Sequence, residues 1–263
     1  MSGGGVDLND VPDFLHLDPS YQASIGDGPV AFRRFVREHA RRHVDHIKII
    51  ATGAVLSYGD TFDVPQFDPD EVRSVVEEAT KFGLPVAAHA HGDRGCSLVA
   101  HAGVASIEHG TGLSAATATA MHERGTALVP TIWALDSLLQ ADVHVAEAFV
   151  SKARQAAAIR NAGLFRAVAA GVRFAYGSDA GVFPHAENNR DFTRMAAFGI
   201  APLAVMRSAT ASAAELLRAT DRGVLAPGKL ADVVAFAGDP STNLALLEAP
   251  PQLILLGGRR IDP

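Results

Sequence analysis

The chain has 263 residues, of which 48% are hydrophobic and 20% charged, and its formal net charge is −6. This is an ordinary globular composition, which excludes a disordered chain, and no apolar run approaches the ~20 residues that span a bilayer. The acidic balance argues against a nucleic-acid partner, while the single cysteine, Cys96, excludes an internal disulfide and favours the reducing cytoplasm.

The first elements are predicted from residue 29 onward. Residues 1–28 show no hydrophobic period and predict a leader loop. A helical pattern covers about 29–45, and the apolar run Ile47-Lys48-Ile49-Ile50 follows as a strand.

The next helix has a well-defined start and end. Asp68 is a typical N-cap, Pro69 suits the first helical position, and Glu71 is placed for a capping box. Gly83 closes this helix, and residues 85–90 predict a buried strand.

This strand-then-helix unit then repeats. Strands are predicted at 104–109, 126–132 and 172–176, and helices at 95–102, 114–124, 146–170, 187–198 and 202–218. Five such units indicate an α/β fold whose parallel sheet is covered on both faces. The last part has two strands, 231–237 and 252–256, with no helix between them, so we expect one domain at 1–222 and a small all-β part at 223–263.

Reactive side chains fall where the predicted strands end. Lys48 lies on the first strand, His89 ends the second, His109 ends the third, and Asp179 follows the last in Gly177-Ser178-Asp179-Ala180-Gly181. Catalytic groups of parallel α/β folds gather at this edge. Each residue alone also fits a structural role, such as an edge lysine or a turn-forming aspartate, but four strand ends together favour a reactive site.

Lys48 has isoleucines on both sides and is expected to be buried. A buried ammonium is costly unless it is paired or neutralised. A neutral lysine can take up carbon dioxide as a carbamate, whose two oxygens can bridge two metal ions. Glu108, next to His109, is expected to point to the opposite side of its strand, away from the site.

In this order the motifs resemble the amidohydrolase superfamily, in particular its prolidase-like and imidazolonepropionase-like branch. The resemblance covers nearly the whole chain and is carried by Ile47-Lys48-Ile49, Ala88-His89-Ala90-His91-Gly92, Ser106-Ile107-Glu108-His109-Gly110-Thr111, Val129-Pro130-Thr131, Gly177-Ser178-Asp179-Ala180-Gly181 and Gly228-Lys229-Leu230-Ala231-Asp232.

The resemblance implies a fold and a set of roles. The fold is a (β/α)8 TIM barrel with a small β-sandwich, of which this chain contains strands 4–8 and the C-terminal part of the sandwich. Lys48 becomes the carboxylated lysine that bridges two divalent ions, most often zinc, and His89 and His109 bind one of them. Asp179 binds the other ion and carries the proton while a metal-bridging hydroxide attacks a carbonyl. His91 is expected to face the substrate, with the alternative that it is itself a ligand.

The family pattern also includes a His-x-His pair at the end of the first barrel strand. The only His-x-His of these 263 residues is His89-Ala90-His91, already assigned to strand five. We therefore expect the first three strands to lie upstream of Met1, so that the chain is N-terminally truncated.

Three functional hypotheses follow. The first is a metal-dependent hydrolase of small amides or dipeptides, similar to an Xaa-Pro dipeptidase. The second is a deaminase or cyclic amidase of the same superfamily, and the third a catalytically inactive fragment that acts only as a metal-binding or interaction module. Tyr58 and His185, on loops at the catalytic face, are candidate substrate contacts. A homo-oligomer is compatible with the sequence but not decided by it.

Overall fold

The computed structural model describes residues 2–3, 25–57, 61–140 and 145–261. Most of the expected leader loop lies outside these residues, as does Tyr58. The chain divides into two compact units, one formed by Met1–Val129 with Leu138–Arg173 and the other by Pro130–Ser137 with Phe174–Pro263. The expected domain boundary after residue 222 stays a prediction.

Strands and helices alternate between residues 47 and 129 as the sequence predicts. In chain order they are β1 (Ser2–Gly3), β2 (Ile25–Gly26), α1 (Gly28–Arg41), β3 (Ile47–Ile50), α2 (Pro69–Lys81), β4 (Val86–Ala90), α3 (Asp93–Ala102), β5 (Ser106–His109), α4 (Ala115–Arg124), β6 (Ala127–Val129), α5 (Ile132–Leu138), α6 (Glu147–Ala169), α7 (Asp191–Ala197), α8 (Pro202–Ser208), α9 (Ala211–Leu216), β7 (Val233–Ala235), β8 (Leu253–Leu256) and β9 (Arg259–Ile261).

A parallel sheet organises the first unit. Strands β3, β4, β5 and β6 pair in sequence order, and helices α2, α3 and α4 connect them. One row of paired residues, formed by Ile49, Ala88, Ile107 and Leu128, is at most 1% exposed. This row belongs to the hydrophobic core, whose burial is the main favourable term in folding. The parallel sheet and its alternation with helices confirm the α/β prediction.

The start of α2 is formed as predicted. The Glu71 carboxylate accepts a hydrogen bond from the Asp68 backbone N–H at 2.8 Å, which completes the capping box. The second Glu71 carboxylate oxygen accepts the Gly28 N–H at 2.8 Å, so one side chain fixes the first turns of both α1 and α2. Gly83 has a φ of 69° just after the helix, a conformation that glycine adopts without strain.

The fifth predicted strand, over residues 172–176, does not form, although the structure describes all of these residues. The carbonyl of Arg173 accepts a hydrogen bond from the Leu128 N–H at 2.8 Å, which continues the sheet by one contact. The sheet is therefore open on this side, as expected for part of a barrel.

The second unit contains α7, α8 and α9 and an antiparallel sheet. The predicted helix over 202–218 forms as two helices, α8 and α9, separated by Ala209 and Thr210. Strands β7, β8 and β9 pair antiparallel in that order, and β9 was not predicted. In the described ranges, no helix is long and apolar enough to cross a membrane.

Candidate metal centre

Strand register places three polar side chains on one face of the parallel sheet. His89 on β4 pairs with Ile50 on one side and with Glu108 on the other, and Lys48 lies two residues before Ile50. Paired residues of parallel strands point to the same face, as do residues two apart. Lys48, His89 and Glu108 therefore share a face, so the expectation that Glu108 lies away from it is wrong. Lys48 is half-buried rather than buried on both sides, because its strand is the edge of the described sheet.

His109 reaches the same site by a different route. It pairs with Ala90, which regular alternation would place on the opposite face from His89. Its backbone, however, has a φ of 71°, in the left-handed region that histidine adopts more readily than most residues. This turn at the strand end brings the His109 ring to a centroid distance of 4.7 Å from His89 and 4.5 Å from His91.

The three histidine rings form one compact cluster. The ligand nitrogens of His89, His91 and His109 all lie within 4.8 Å of one another. The His91 and His109 rings are stacked, with an interplanar angle of 15°, whereas His89 stands edge-on to both. The structure thus places His91 beside the two histidines that the sequence assigned as ligands.

Hydrogen bonds to neighbouring loops orient two of the rings. The Nε2 atom of His89 lies 3.1 Å from the carbonyl oxygen of Gly53. Because a carbonyl only accepts, Nε2 carries the proton and Nδ1 keeps its lone pair for a ligand. The backbone N–H of His91 donates to Thr52 Oγ1 at 3.2 Å, and Nδ1 of its ring lies 2.8 Å from Thr111 Oγ1.

The surroundings of the cluster favour the neutral form of the His91 and His109 imidazoles. Burial lowers the pKa of His91 well below its usual value, and the nearby His89 lowers it further. The pKa of His109 is lowered in the same way by burial, then by His91 and His89, and also by the Lys48 ammonium. Neutral imidazole is the form that binds a metal ion, and the spacing of the cluster allows its nitrogens to approach a divalent cation such as Zn²⁺.

Two other predicted site residues, Asp179 and His185, belong to the second unit. Asp179 is exposed, has a φ of 59°, and its carbonyl accepts a hydrogen bond from the Val182 N–H at 3.3 Å. The same loop continues into Phe183, whose ring packs edge-on against Trp133 with centroids 6.2 Å apart. His185 is exposed and begins a short 3₁₀ helix, His185–Glu187.

Sequence reasoning assigned no role to Thr52 or Thr111, although both contact the cluster. Both are buried, at 0% and 1% exposure. Thr111 stands two residues after His109 in the quoted Glu108-His109-Gly110-Thr111 motif. The sequence signal for Thr111 was its position: its hydroxyl lies two residues beyond the strand that ends at the candidate ligand His109.

The comparisons with known proteins agree with this geometry. The amidohydrolase family model matches residues 7–258. The chain is 31% identical to the ochratoxinase of Aspergillus niger over 231 residues, which are 86% of this chain and 48% of that protein.

Solved structures of a dipeptidase and a prolidase are similar to this chain in fold and in sequence. A crystal structure of an Xaa-Pro dipeptidase with methionine bound in the active site superposes with a TM-score of 0.90 and 33% identity, covering 99% of this chain and 65% of that one. A prolidase complexed with N-methylphosphonate-L-proline gives a TM-score of 0.83 and 31% identity, covering 93% of this chain and 63% of that one. The chain thus spans about half the length of the A. niger ochratoxinase and just under two thirds of these two structures.

Proposed function

Because the chain belongs to the amidohydrolase family, we propose that its protein hydrolyses carbon–nitrogen bonds of small amides or dipeptides at a metal centre that includes Lys48, His89 and His109. The observation that carries this proposal is the cluster of three imidazoles at the carboxyl ends of parallel strands. The similarity to an Xaa-Pro dipeptidase and to an ochratoxinase supports amide bonds as the substrate class.

The donor set supports a divalent cation, and zinc is one of the ions that imidazole nitrogen suits. His89 offers the lone pair of Nδ1, since its Nε2 is held by the Gly53 carbonyl. Lys48 lies on the same sheet face as His89 and, as a carbamate, would contribute oxygen ligands. When bound, such ions polarise a carbonyl and lower the pKa of a water molecule toward neutrality.

The remaining roles concern protons and substrate. Asp179 is proposed as a further metal ligand and as the carboxylate that takes the proton of the attacking water and delivers it to the leaving nitrogen. This assignment rests on the Gly177-Ser178-Asp179-Ala180-Gly181 motif. Asp179 is exposed to solvent. Tyr58 and His185 remain candidate contacts for the substrate.

Metal analysis and activity together test the proposal. The chain and a longer form that includes residues upstream of Met1 are loaded with Zn²⁺, and bound zinc is counted by mass spectrometry. Both are then incubated with N-acyl amino acids and Xaa-Pro dipeptides, and the release of free amine is measured. We expect zinc in both forms and amine release by the longer one. Failure of the longer form to bind zinc would refute the proposal.

The alternatives give different products. A deaminase releases ammonia instead of an amino acid, and a cyclic amidase opens its substrate to a single product. Zinc binding without turnover by the longer form would favour the third hypothesis, a metal-binding module. The presence of only one His-x-His in these 263 residues is the observation that favours this module for the chain by itself.

A further inference from the structure

The Thr111 side chain lies against His91 and has no role in the proposal so far. Its Oγ1 is 2.8 Å from His91 Nδ1, and the following N–H, that of Gly112, donates to the His91 carbonyl at 2.6 Å. Residues 111 and 112 therefore hold both the ring and the backbone of His91. Thr111 is 1% exposed, so water does not replace this contact.

The direction of the hydrogen bond follows from its partners. Within the part of the chain that the structure describes, the Thr111 hydroxyl makes one hydrogen bond, that with His91. If Nδ1 donated, the buried O–H of Thr111 would be left without an acceptor, at a cost of about 1–3 kcal/mol. The hydroxyl therefore donates to Nδ1, and in a neutral imidazole the proton then sits on Nε2.

Helix α6 holds the Thr111 segment in place. A Cβ atom at Gly163 would lie 2.7 Å from the Thr111 carbonyl oxygen, which shows how closely the helix approaches. Arg166, one turn further along, donates to the Leu113 carbonyl at 3.0 Å. The hydroxyl thus comes from a packed segment and can orient the ring before any ligand arrives.

We infer that Thr111 is a positioning residue that keeps the proton of His91 on Nε2, so that His91 presents an N–H donor to the substrate and is not a third metal ligand. The acceptor is the carbonyl oxygen of the scissile amide, because the His91 ring lies beside His89 and His109, at centroid distances of 4.7 and 4.5 Å. The choice of acceptor rests on the proposed function, whereas the position of the proton does not.

Nitrogen NMR of the histidine rings tests the position of the proton without activity. The full chain is labelled with ¹⁵N-histidine, and long-range proton–nitrogen spectra are recorded metal-free and with zinc; His91→Gln identifies the His91 signals. We expect an unprotonated Nδ1 and a protonated Nε2 in both states. Thr111→Ser keeps this pattern and Thr111→Val loses it. A protonated Nδ1, or an Nε2 that loses its proton when zinc is added, would overturn the inference.

Metal affinity and kinetics test the role. Zinc affinity of Thr111→Val and His91→Gln should stay near that of the unchanged chain. In the longer form, Thr111→Val should lose up to about 100-fold in kcat with little change in KM, since removing a donor to the reacting oxygen costs about 10²–10³-fold. Thr111→Ser should restore kcat. A loss of zinc affinity in His91→Gln would make His91 a ligand and contradict the inference.

Thr126→Val is the matched control. Thr126 is also 1% exposed, and its hydroxyl donates to the Val104 carbonyl at 2.8 Å instead of to a histidine. It should leave both the His91 spectrum and kcat unchanged, and an equal loss in this variant would reduce Thr111 to a structural role. Absence of zinc binding and turnover throughout would refute the proposed function, while the spectra would still decide the His91 proton.

Discussion

The two units of the chain carry their reactive side chains in different ways. In the first, Lys48, His89 and His109 belong to strands of one parallel sheet, and hydrogen bonds and packing hold the rings. In the second, Asp179 and His185 lie exposed on a loop and a single 3₁₀ turn. The comparison teaches that the candidate metal ligands are oriented by the sheet, whereas the proposed proton carrier lies on an exposed loop.

The largest expected effect is on metal binding by the first unit. His89→Ala should lower zinc affinity by more than about 100-fold, because it removes a proposed ligand. Loss of a residue that only orients a metal ligand costs up to about 100-fold. Competition with a chromophoric chelator measures the change.

His122→Ala is the control for this prediction. His122 is exposed and its ring nitrogen contacts the Gly171 carbonyl at 2.8 Å, outside the cluster. Equal zinc affinity in both variants would show that the cluster does not hold the metal.

The second unit should respond in activity rather than in stability. In the longer form, Asp179→Asn should lower kcat by about 10²–10⁴-fold, the usual contribution of a positioned acid–base group. Its melting temperature should change little, since the site is exposed and asparagine tolerates a φ of 59°. Asp221→Asn, exposed and paired with Arg222, is the control. Full activity of Asp179→Asn would remove it from the mechanism.

Gly163→Ala sharpens the comparison by disturbing the packed support of the first unit. The new Cβ would lie 2.7 Å from the Thr111 oxygen and 3.0 Å from the Leu113 nitrogen, both backbone atoms that cannot swing aside. Overpacking lowers the free energy of unfolding by about 1–3 kcal/mol. The higher helix propensity of alanine raises it by about 1 kcal/mol, so we expect a net decrease of up to about 2 kcal/mol.

Urea denaturation measures this loss. Ala158→Gly, at an exposed position of the same helix, calibrates the helix-propensity part of the change. A Gly163→Ala variant as stable as the unchanged chain would mean that α6 can move away from Thr111 without cost.

The smallest of these effects is a pH dependence on the outer side of the first unit. Glu78 accepts hydrogen bonds from Arg37 at 2.6 Å and Lys81 at 2.8 Å, which lower its pKa to about 2. A carboxyl whose pKa is lowered by folding stabilises the fold above its unfolded pKa and loses that contribution as the pH falls toward 2.

Glu78→Gln should therefore lower the melting temperature at pH 7, and the difference should shrink between about pH 4.5 and 2. Thermal melts across this range measure it. Glu77→Gln is the control. The Glu77 carboxylate is exposed and pairs with Arg33, so this variant should show a smaller difference in melting temperature. A constant difference at all pH values would point to packing instead of charge.

Local signals predicted much of the fold. The N-cap at Asp68 and the capping box with Glu71 gave the start of α2, because these contacts form within four residues. Continuous apolar runs predicted β3, β4, β5 and β6. The predictions of a fifth strand over 172–176 and of a single helix over 202–218 were wrong. Strand pairing at Arg173 and the helix break after Ser208 depend on residues that are distant in the sequence.

For the site, the sequence by itself determined which residue types stand at strand ends. The motifs that contain them are short contiguous segments, so they can be recognised without the structure; they surround Lys48, His89, His109 and Asp179. Only the tertiary structure decided which rings meet. The left-handed turn at His109 carries its ring into the cluster, and the register between β4 and β5 puts Glu108 on the face of His89. The hydroxyl of Thr111 reaches His91 from 20 residues away, because packing and strand pairing bring together groups whose separation along the chain carries no signal.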